Sequence, residues 1–328
     1  MTESDNNICL NATVPDEHYN SRLDQSIARL FPNYSRSKLK EWILAGNVQV
    51  NDVKIDAPRH KLKGGETISV NAEQQIQVFN QAESIKLDIV FEDDDILIIN
   101  KPANLVVHPG AGNPSGTVLN ALLSHYPEIE NVPRAGIVHR LDKDTTGLMV
   151  IAKNLSAQTS LVNQLQEREM GREYEAVVIG NMVAGGMVES NIGRHPTKRT
   201  LMAVTAVGKP AVTHYRVKQK FRAHTHLRLK LETGRTHQIR VHMTHIKHPL
   251  VGDIQYGGRP RLPKHASPEF VESLQGFRRQ ALHAIQLSLT HPKSGEQMTW
   301  TAPIPKDFEQ LLASLSDDLK RNGMPDTW

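Results

Sequence analysis

The sequence predicts a small α+β unit followed by a larger α+β domain, the latter a mixed, mostly antiparallel sheet flanked by helices. Three observations predict it. The chain has 328 residues, room for two domains of unequal size. Within the first 70 residues the apolar period switches from that of helices to that of strands. Beyond residue 87, segments of strand character outnumber helical ones, and many connections are too short for a parallel crossover. With 38% hydrophobic and 23% charged residues, collagen-like, coiled-coil and wholly disordered classes are excluded.

In chain order, residues 1–20 are polar and aperiodic and read as a flexible tail. Ser21, with Asp24 three positions on, resembles a capping box for a helix carrying Leu23, Ile27 and Leu30, which Pro32 stops. Ser35 can cap a second helix whose apolar face is Leu39, Trp42 and Ile43, and Gly46 sits where a left-handed C-terminal residue is expected. Val48 and Val50 then alternate with polar residues, Asn51 and Asp52 offer a turn, and Ile68 and Val70 make a further strand. Residues 21–75 form this unit and 76–86 a linker. A catalytic-size domain over 87–305 begins with a hairpin, Asp88–Phe91 and Ile96–Asn100. It continues with strands at Leu148–Ala152, Tyr174–Ile179, Ala211–Val217 and Leu227–Glu232, and helices at Thr117–Tyr126, Ser156–Glu167 and Thr236–Lys247. Residues 306–328 read as a C-terminal extension.

Several functions are excluded early. No apolar run approaches the roughly 20 residues of a membrane helix. The acidic start at Met1–Asp5 lacks a positive n-region and an apolar h-region, so cytoplasmic residence is expected. A single cysteine, Cys9, makes neither an internal disulfide nor a thiolate zinc cage. The net charge of +4 says little by itself, but residues 21–63 hold nine Lys or Arg against four acids, a local excess of +5. That excess is either a solvated surface or an attraction for phosphates.

Candidate chemistry is densest in His139-Arg140-Leu141-Asp142-Lys143-Asp144-Thr145-Thr146-Gly147, just ahead of the strand Leu148–Ala152. A buried strand would hold such a polar loop rigidly. On pattern alone Asp142 is either a catalytic carboxylate or a surface acid, His139 a packing residue, and Asp144-Thr145-Thr146 ordinary turn chemistry. Asp142 with Asp144 could also form the carboxylate pair of a glycoside hydrolase. His237, His242, His245 and His248 lie close in sequence but do not share one helix face, and HExxH is absent, so no metal site is expected. GAGNPSG at 110–116 has neither phosphate-loop nor dinucleotide spacing, which predicts no nucleotide cofactor.

HRLDKDTTG resembles the active-site motif of the RluA-type pseudouridine synthases, which isomerise uridine to pseudouridine in RNA. REYEAVV at 172–178, GRTHQIRVH at 234–242 and HPLVGDIQYGG at 248–258 follow in the family's order. The arrangement of residues 21–70 is similar to the S4 RNA-binding domain. The resemblance implies a pseudouridine synthase fold preceded by an S4-like domain, Asp142 as the catalytic residue, Arg240 as its arginine partner and Tyr174 as the active-site tyrosine. It also implies that Arg140 enters the place vacated by the flipped base. RHPTKRTLMAV, GKPAVTHYRV and GGRPRLPK resemble the branch that acts on the large ribosomal subunit. That implies 23S rRNA as partner and substrate, with targets in the intersubunit stem-loop facing the decoding site, no cofactor, no membrane association and a monomer.

Read from the residues, Arg240 is otherwise a phosphate contact or surface ion pair, and Tyr174 a core aromatic. Arg36, Lys38, Lys40, Arg59 and Lys61 in the first unit, and Arg194, Lys198 and Arg199 in a basic loop of the second, are the candidate RNA-binding residues. A purely RNA-binding protein would explain these and leave HRLDKDTTG without a purpose.

Overall fold

The computed structural model describes residues 7–32, 34, 36–73, 81–110, 112–257 and 262–324. The expected cap Ser35, residues 76–80 of the expected linker and residues 258–261 of GGRPRLPK lie outside them. The chain divides into two compact units, residues 1–78 and 79–328.

The first unit contains β1 (Asn7–Thr13), α1 (Leu23–Leu30), α2 (Arg36–Leu44), β2 (Val48–Val50), β3 (Val53–Lys54) and β4 (Thr67–Glu73). Its sheet has the order β1-β4-β2-β3, with every pair antiparallel. Leu23 and Ile27 from α1, and Leu39, Trp42 and Ile43 from α2, are buried together with Val48, Val50, Ile68 and Val70 of the sheet. Gly46 adopts φ +72°, the left-handed turn expected after α2. Two expectations are corrected. The tail over 1–20 is in part a strand: β1 pairs along all of β4, from Asn7 opposite Glu73 to Thr13 opposite Thr67, and Ile8 and Leu10 pack on the core. Two apolar residues in a polar stretch are too weak a period to reveal a strand whose stability comes from a partner 60 residues away. Nor does Ser21 cap α1. Arg22 occupies the N-cap without a side-chain bond to the helix backbone, and its guanidinium grips the Asp24 carboxylate of the first turn at 2.9 and 2.6 Å.

The second unit begins with β5 (Ile89–Glu92), β6 (Ile96–Lys101), α3 (Val118–His125), β7 (Thr146–Ala152), α4 (Leu155–Gln166), β8 (Gly171–Ile179) and β9 (Gly186–Arg194). It continues with β10 (Met202–Val204), β11 (Lys209–Lys220), β12 (His224–Leu231), α5 (Gln238–His245), α6 (Pro268–Gly276), β13 (Leu282–Thr290), β14 (Gln297–Thr301) and α7 (Lys306–Asn322). Ten strands form one sheet, β10-β9-β11-β12-β8-β13-β7-β6-β5, with β14 added to β13. Every pairing is antiparallel except β13 with β7, so the sheet is mixed and mostly antiparallel as expected.

Both faces of the central strands are covered. Leu97, Ile99, Met149, Ile151, Tyr174 and Ala176 point to the face packed by α3 and α5, whereas Ile96, Ile98, Leu148 and Val150 point to the face packed by α4. This double burial explains why β6 and β7 read as continuous apolar runs. Of the expected C-terminal extension, the described part, residues 306–324, is not an appendage: Phe308, Leu311 and Leu315 of α7 are buried with Val177, Phe221 and Phe277. The second half of the expected linker is docked, since the Gln81 carbonyl accepts from Asn120 Nδ2 at 2.8 Å and the Glu83 carboxylate from Gly116 N–H at 3.0 Å. Among the described residues no helix is long and apolar enough to cross a membrane.

Candidate active site

The segment from His139 to Thr145 is drawn onto the end of β7 by a ring of polar contacts. His139 Nε2 accepts the Val150 N–H at 3.1 Å, and burial, helped by the Arg172 charge, pushes that imidazole down to about 3, so it stays a neutral acceptor. The Asp142 carbonyl accepts the Thr145 N–H at 3.1 Å, closing a turn. Lys101, 1% exposed, donates to the carbonyls of Pro102, Leu105 and Lys143 at 2.8, 2.9 and 2.9 Å. From the approach to β13, Gln280 Nε2 donates to Thr145 Oγ1 at 3.0 Å and Arg279 to the Asp144 carbonyl at 3.3 Å. Gly147 completes the loop at φ +113°, where a Cβ would overlap the backbone of Ala284 on β13. Asp142 lines the cavity beside this turn and Asp144 does not, so the two do not face it as a carboxylate pair.

Arg240 reaches this loop from α5. Its Nη1 donates to Asp142 Oδ2 at 3.0 Å, while Nε and Nη2 hold Asp253 in a bidentate pair at 2.7 and 2.9 Å, and Nη2 also reaches Gln255 Oε1 at 2.7 Å. Asp253 accepts as well from the N–H groups of Gln255 and Tyr256, and its side chain is 1% exposed. Burial alone would lower the Arg240 pKa, but the hydrogen bonds and charges of Asp253 and Asp142 outweigh it and hold the guanidinium charged. A chain carboxylate–guanidinium–carboxylate results. Tyr256 lies beneath it, with the guanidinium carbon 4.8 Å from the ring centroid.

His237 stands on the other side of Asp142, in the left-handed conformation at φ +55° that starts α5. The Tyr256 hydroxyl accepts from Met202 N–H at 2.8 Å and lies 2.8 Å from His237 Nδ1. The other ring nitrogen of His237, Nε2, lies 3.8 Å from Asp142 Oδ1. Burial lowers the His237 pKa despite the nearby Asp142.

Asp142, Tyr174, Arg140, His237 and Arg240 all line one cavity of about 580 Å³, within the range that takes a nucleoside. Tyr174, 6% exposed, sits on β8 opposite Leu229 and Ala284; burial raises its pKa, with the Arg172 charge opposing the rise and the Asp142 charge adding to it. Arg140 is exposed at the rim. Arg194, Lys198 and Arg199 are exposed on the β9–β10 connection, which His195 Nδ1 closes by accepting from the Thr197 and Lys198 N–H groups. In the first unit Arg36 and Lys40 share one exposed helix face, and Arg59 and Lys61 are exposed. Lys38 lies two positions off that face, against Glu41 and the Trp42 ring.

The sequence reading nominated no residue of HPLVGDIQYGG by itself, yet Asp253, Gln255 and Tyr256 all belong to the site. Lys101 and Arg172 were likewise not singled out, and His139 and His237 were weighed only as a packing residue and as one of a cluster of histidines. Asp253 had a usable signal, a lone acid in an otherwise uncharged motif; Lys101 and Arg172 had none, because only burial distinguishes them from surface cations. The four clustered histidines turn to separate partners: His237 to Tyr256, His242 to Thr213 and Ser190, His248 to the Ile179 carbonyl, while His245 is exposed.

Comparison with known proteins identifies the family. The RNA pseudouridylate synthase family model matches residues 95–245 and the S4 domain model residues 21–68. The chain is 62% identical over 311 residues to the ribosomal large subunit pseudouridine synthase D of Salmonella typhimurium, covering 95% of each chain. It is 61% identical over 313 residues to that of Escherichia coli K12, covering 95% of this chain and 96% of the relative. Among solved structures it is similar to human RNA pseudouridylate synthase domain containing 4, with TM-score 0.55, 25% identity and coverage of 70% and 92% of the two chains. Human RNA pseudouridylate synthase domain containing 1 matches with TM-score 0.52, 26% identity and coverage of 75% and 99%. By near full-length identity to these relatives, the chain belongs to the RNA pseudouridylate synthase family, isomerases of RNA uridine, and carries an S4 domain ahead of the synthase domain.

Proposed function

We propose that this chain acts in the cytoplasm on the large-subunit 23S ribosomal RNA, converting uridines of the intersubunit stem-loop that faces the decoding site, with Asp142 as the catalytic carboxylate. The observation that carries the assignment of Asp142 is its fixation by Arg240, itself anchored on Asp253. The rRNA substrate rests on the relatives, which are named for the ribosomal large subunit, and on the branch motifs.

Isomerisation breaks the N1 glycosidic bond, turns the uracil while it stays bound, and joins C1′ of the ribose to C5. Arg240 occupies Oδ2 of Asp142, and Oδ1 lies 3.8 Å from His237 Nε2. A carboxylate oriented in this way serves either as a nucleophile on the sugar or as the base that removes a ribose proton. Arg240 holds its orientation in both cases. Tyr174 offers a ring beside the uracil, and Arg140 at the rim fills the stack the uridine leaves, a displacement that costs a few kcal/mol. Arg36, Lys40, Arg59 and Lys61, with Arg194, Lys198 and Arg199, supply phosphate contacts outside the pocket, and Lys38 a weaker one.

The C5 hydrogen is lost when C5 bonds to C1′, so unmodified 23S rRNA carrying tritium at uridine C5 should release tritium to water without free uracil. Asp142→Asn is expected to lower release by about 10³-fold or more while RNA affinity stays within about threefold. Substantial turnover by Asp142→Asn would remove Asp142 from the catalytic role; free uracil would mean hydrolysis, and rRNA binding without release a binding protein.

A further inference from the structure

Among the described residues, four arginines of the second unit are buried: Arg172, Arg222, Arg240 and Arg279. Three have a carboxylate within ion-pair distance: Arg222 with Asp318 at 3.0 Å, Arg240 with Asp253 at 2.7 Å, and Arg279 with Asp307 at 2.6 Å. Arg172, 6% exposed, has none among the described residues. Its Nη2 donates to the Glu232 carbonyl at 3.2 Å, and its buried Nε finds no partner among them. A buried cation without an anion costs several kcal/mol and persists only where something offsets the cost.

The position of this charge is informative. Arg172 enters the wall of the Asp142 cavity from β8, two residues before Tyr174, and its Nη1 lies so close to Gly234 that a Cβ there would stand 2.6 Å away. Six arginines but only two carboxylates, Asp142 and Glu232, line that cavity. Both are already engaged: Glu232 pairs with Arg168 at 2.8 Å and with His214 at 2.6 Å, and Asp142 is held by Arg240. The cavity therefore has more positive charge than its own acids neutralise.

We propose that Arg172 is an anion-binding residue whose counter-ion is a phosphate of the RNA strand entering the active-site cavity. The inference rests on the RNA-substrate reading above and adds a specific contact to it. A guanidinium offers a phosphodiester two parallel donors, and the small Gly234 leaves the backbone open beside it. The free protein then carries an unneutralised charge that the substrate neutralises, so stability is given up in the free state for binding in the complex.

The test uses the full chain with Arg172→Met and Arg172→Lys, measuring tritium release from C5-labelled 23S rRNA over a range of salt together with thermal unfolding of the free protein. For Arg172→Met, kcat/KM should fall about tenfold, mostly in KM, and the slope of log affinity against log salt should flatten by about one. The unfolding midpoint should stay the same or rise, because a costly buried charge is gone. Arg172→Lys should recover most of KM and the salt slope. Unchanged KM and slope in Arg172→Met would overturn the proposal, as would a fall in the unfolding midpoint of several degrees with loss of activity that lysine does not restore, the pattern of a purely structural residue. A wild type that releases no tritium from rRNA would bring down the substrate reading itself and this contact with it.

Discussion

Asp142, Arg240 and Asp253 act as one unit, and their contributions differ by position. Arg240 could orient Asp142 from several directions; Asp253, with two bonds from the guanidinium and two from backbone N–H groups, selects one. Asp253→Asn keeps the shape and removes the charge, leaving Arg240 free to turn its full charge onto Asp142. Tritium release is expected to fall about 10- to 100-fold, since a displacement near 1 Å of a catalytic group is enough for that, with far-UV circular dichroism unchanged. Activity within twofold of wild type would show that Arg240 needs no anchor. At this scale the sequence was half legible. HRLDKDTTG and GRTHQIRVH named Asp142 and Arg240, but the pairing of Arg240 with Asp253 depends on how the loop after α5 folds back, which no local pattern encodes.

Among the elements, β7 carries most of the positioning. Its first residues bear the loop, its middle donates the Val150 N–H to His139, and its one parallel partner, β13, approaches at His283 and Ala284. The approach requires Gly147, whose φ of +113° and contact with Ala284 exclude a side chain. Gly147→Ala is expected to cost about 3 kcal/mol or more, measured by urea unfolding, through combined strain and overlap. A loss below about 1 kcal/mol would mean that the strands separate freely and that the loop is held by its polar contacts alone. Periodicity located β6, β7 and β8 well, because burial on both faces leaves long apolar runs. It missed β9, β10, β13 and β14, where burial is interrupted: β14 alternates exposed and half-buried residues, and β10 is half-buried throughout.

For the whole molecule the buried histidines set an acid limit. Burial pushes His108, His224, His242 and His283 down to about 4 and His139 to about 3, from 6.5 when unfolded. Between those values the unfolded chain binds more protons than the folded one, so stability is full above pH 6.5 and is lost as pH falls toward 4. Glu175 adds to the same trend at lower pH. Burial would raise its carboxyl, but hydrogen bonds and charges from His226 and Lys218 bring it to about 2, so its stabilisation is lost as pH falls below 4.5. The unfolding midpoint should therefore drop steadily from pH 6.5 to 4, and a flat profile would show that these rings are hydrated and able to protonate in place.

What the sequence by itself determined was the two-part architecture and the mixed sheet, which rest on local period; the motifs that carry Asp142 and Arg240 were read through resemblance to a known family. The extent of the small unit, the docking of α7 and the anchoring by Asp253 were decided by the tertiary structure alone. So was the presence of an unpaired Arg172 in a cavity more basic than the +4 of the whole chain suggests. The physical reason is common to all of these: a strand partner, a counter-ion or a burial state is a relation between distant segments, and a residue type does not carry it.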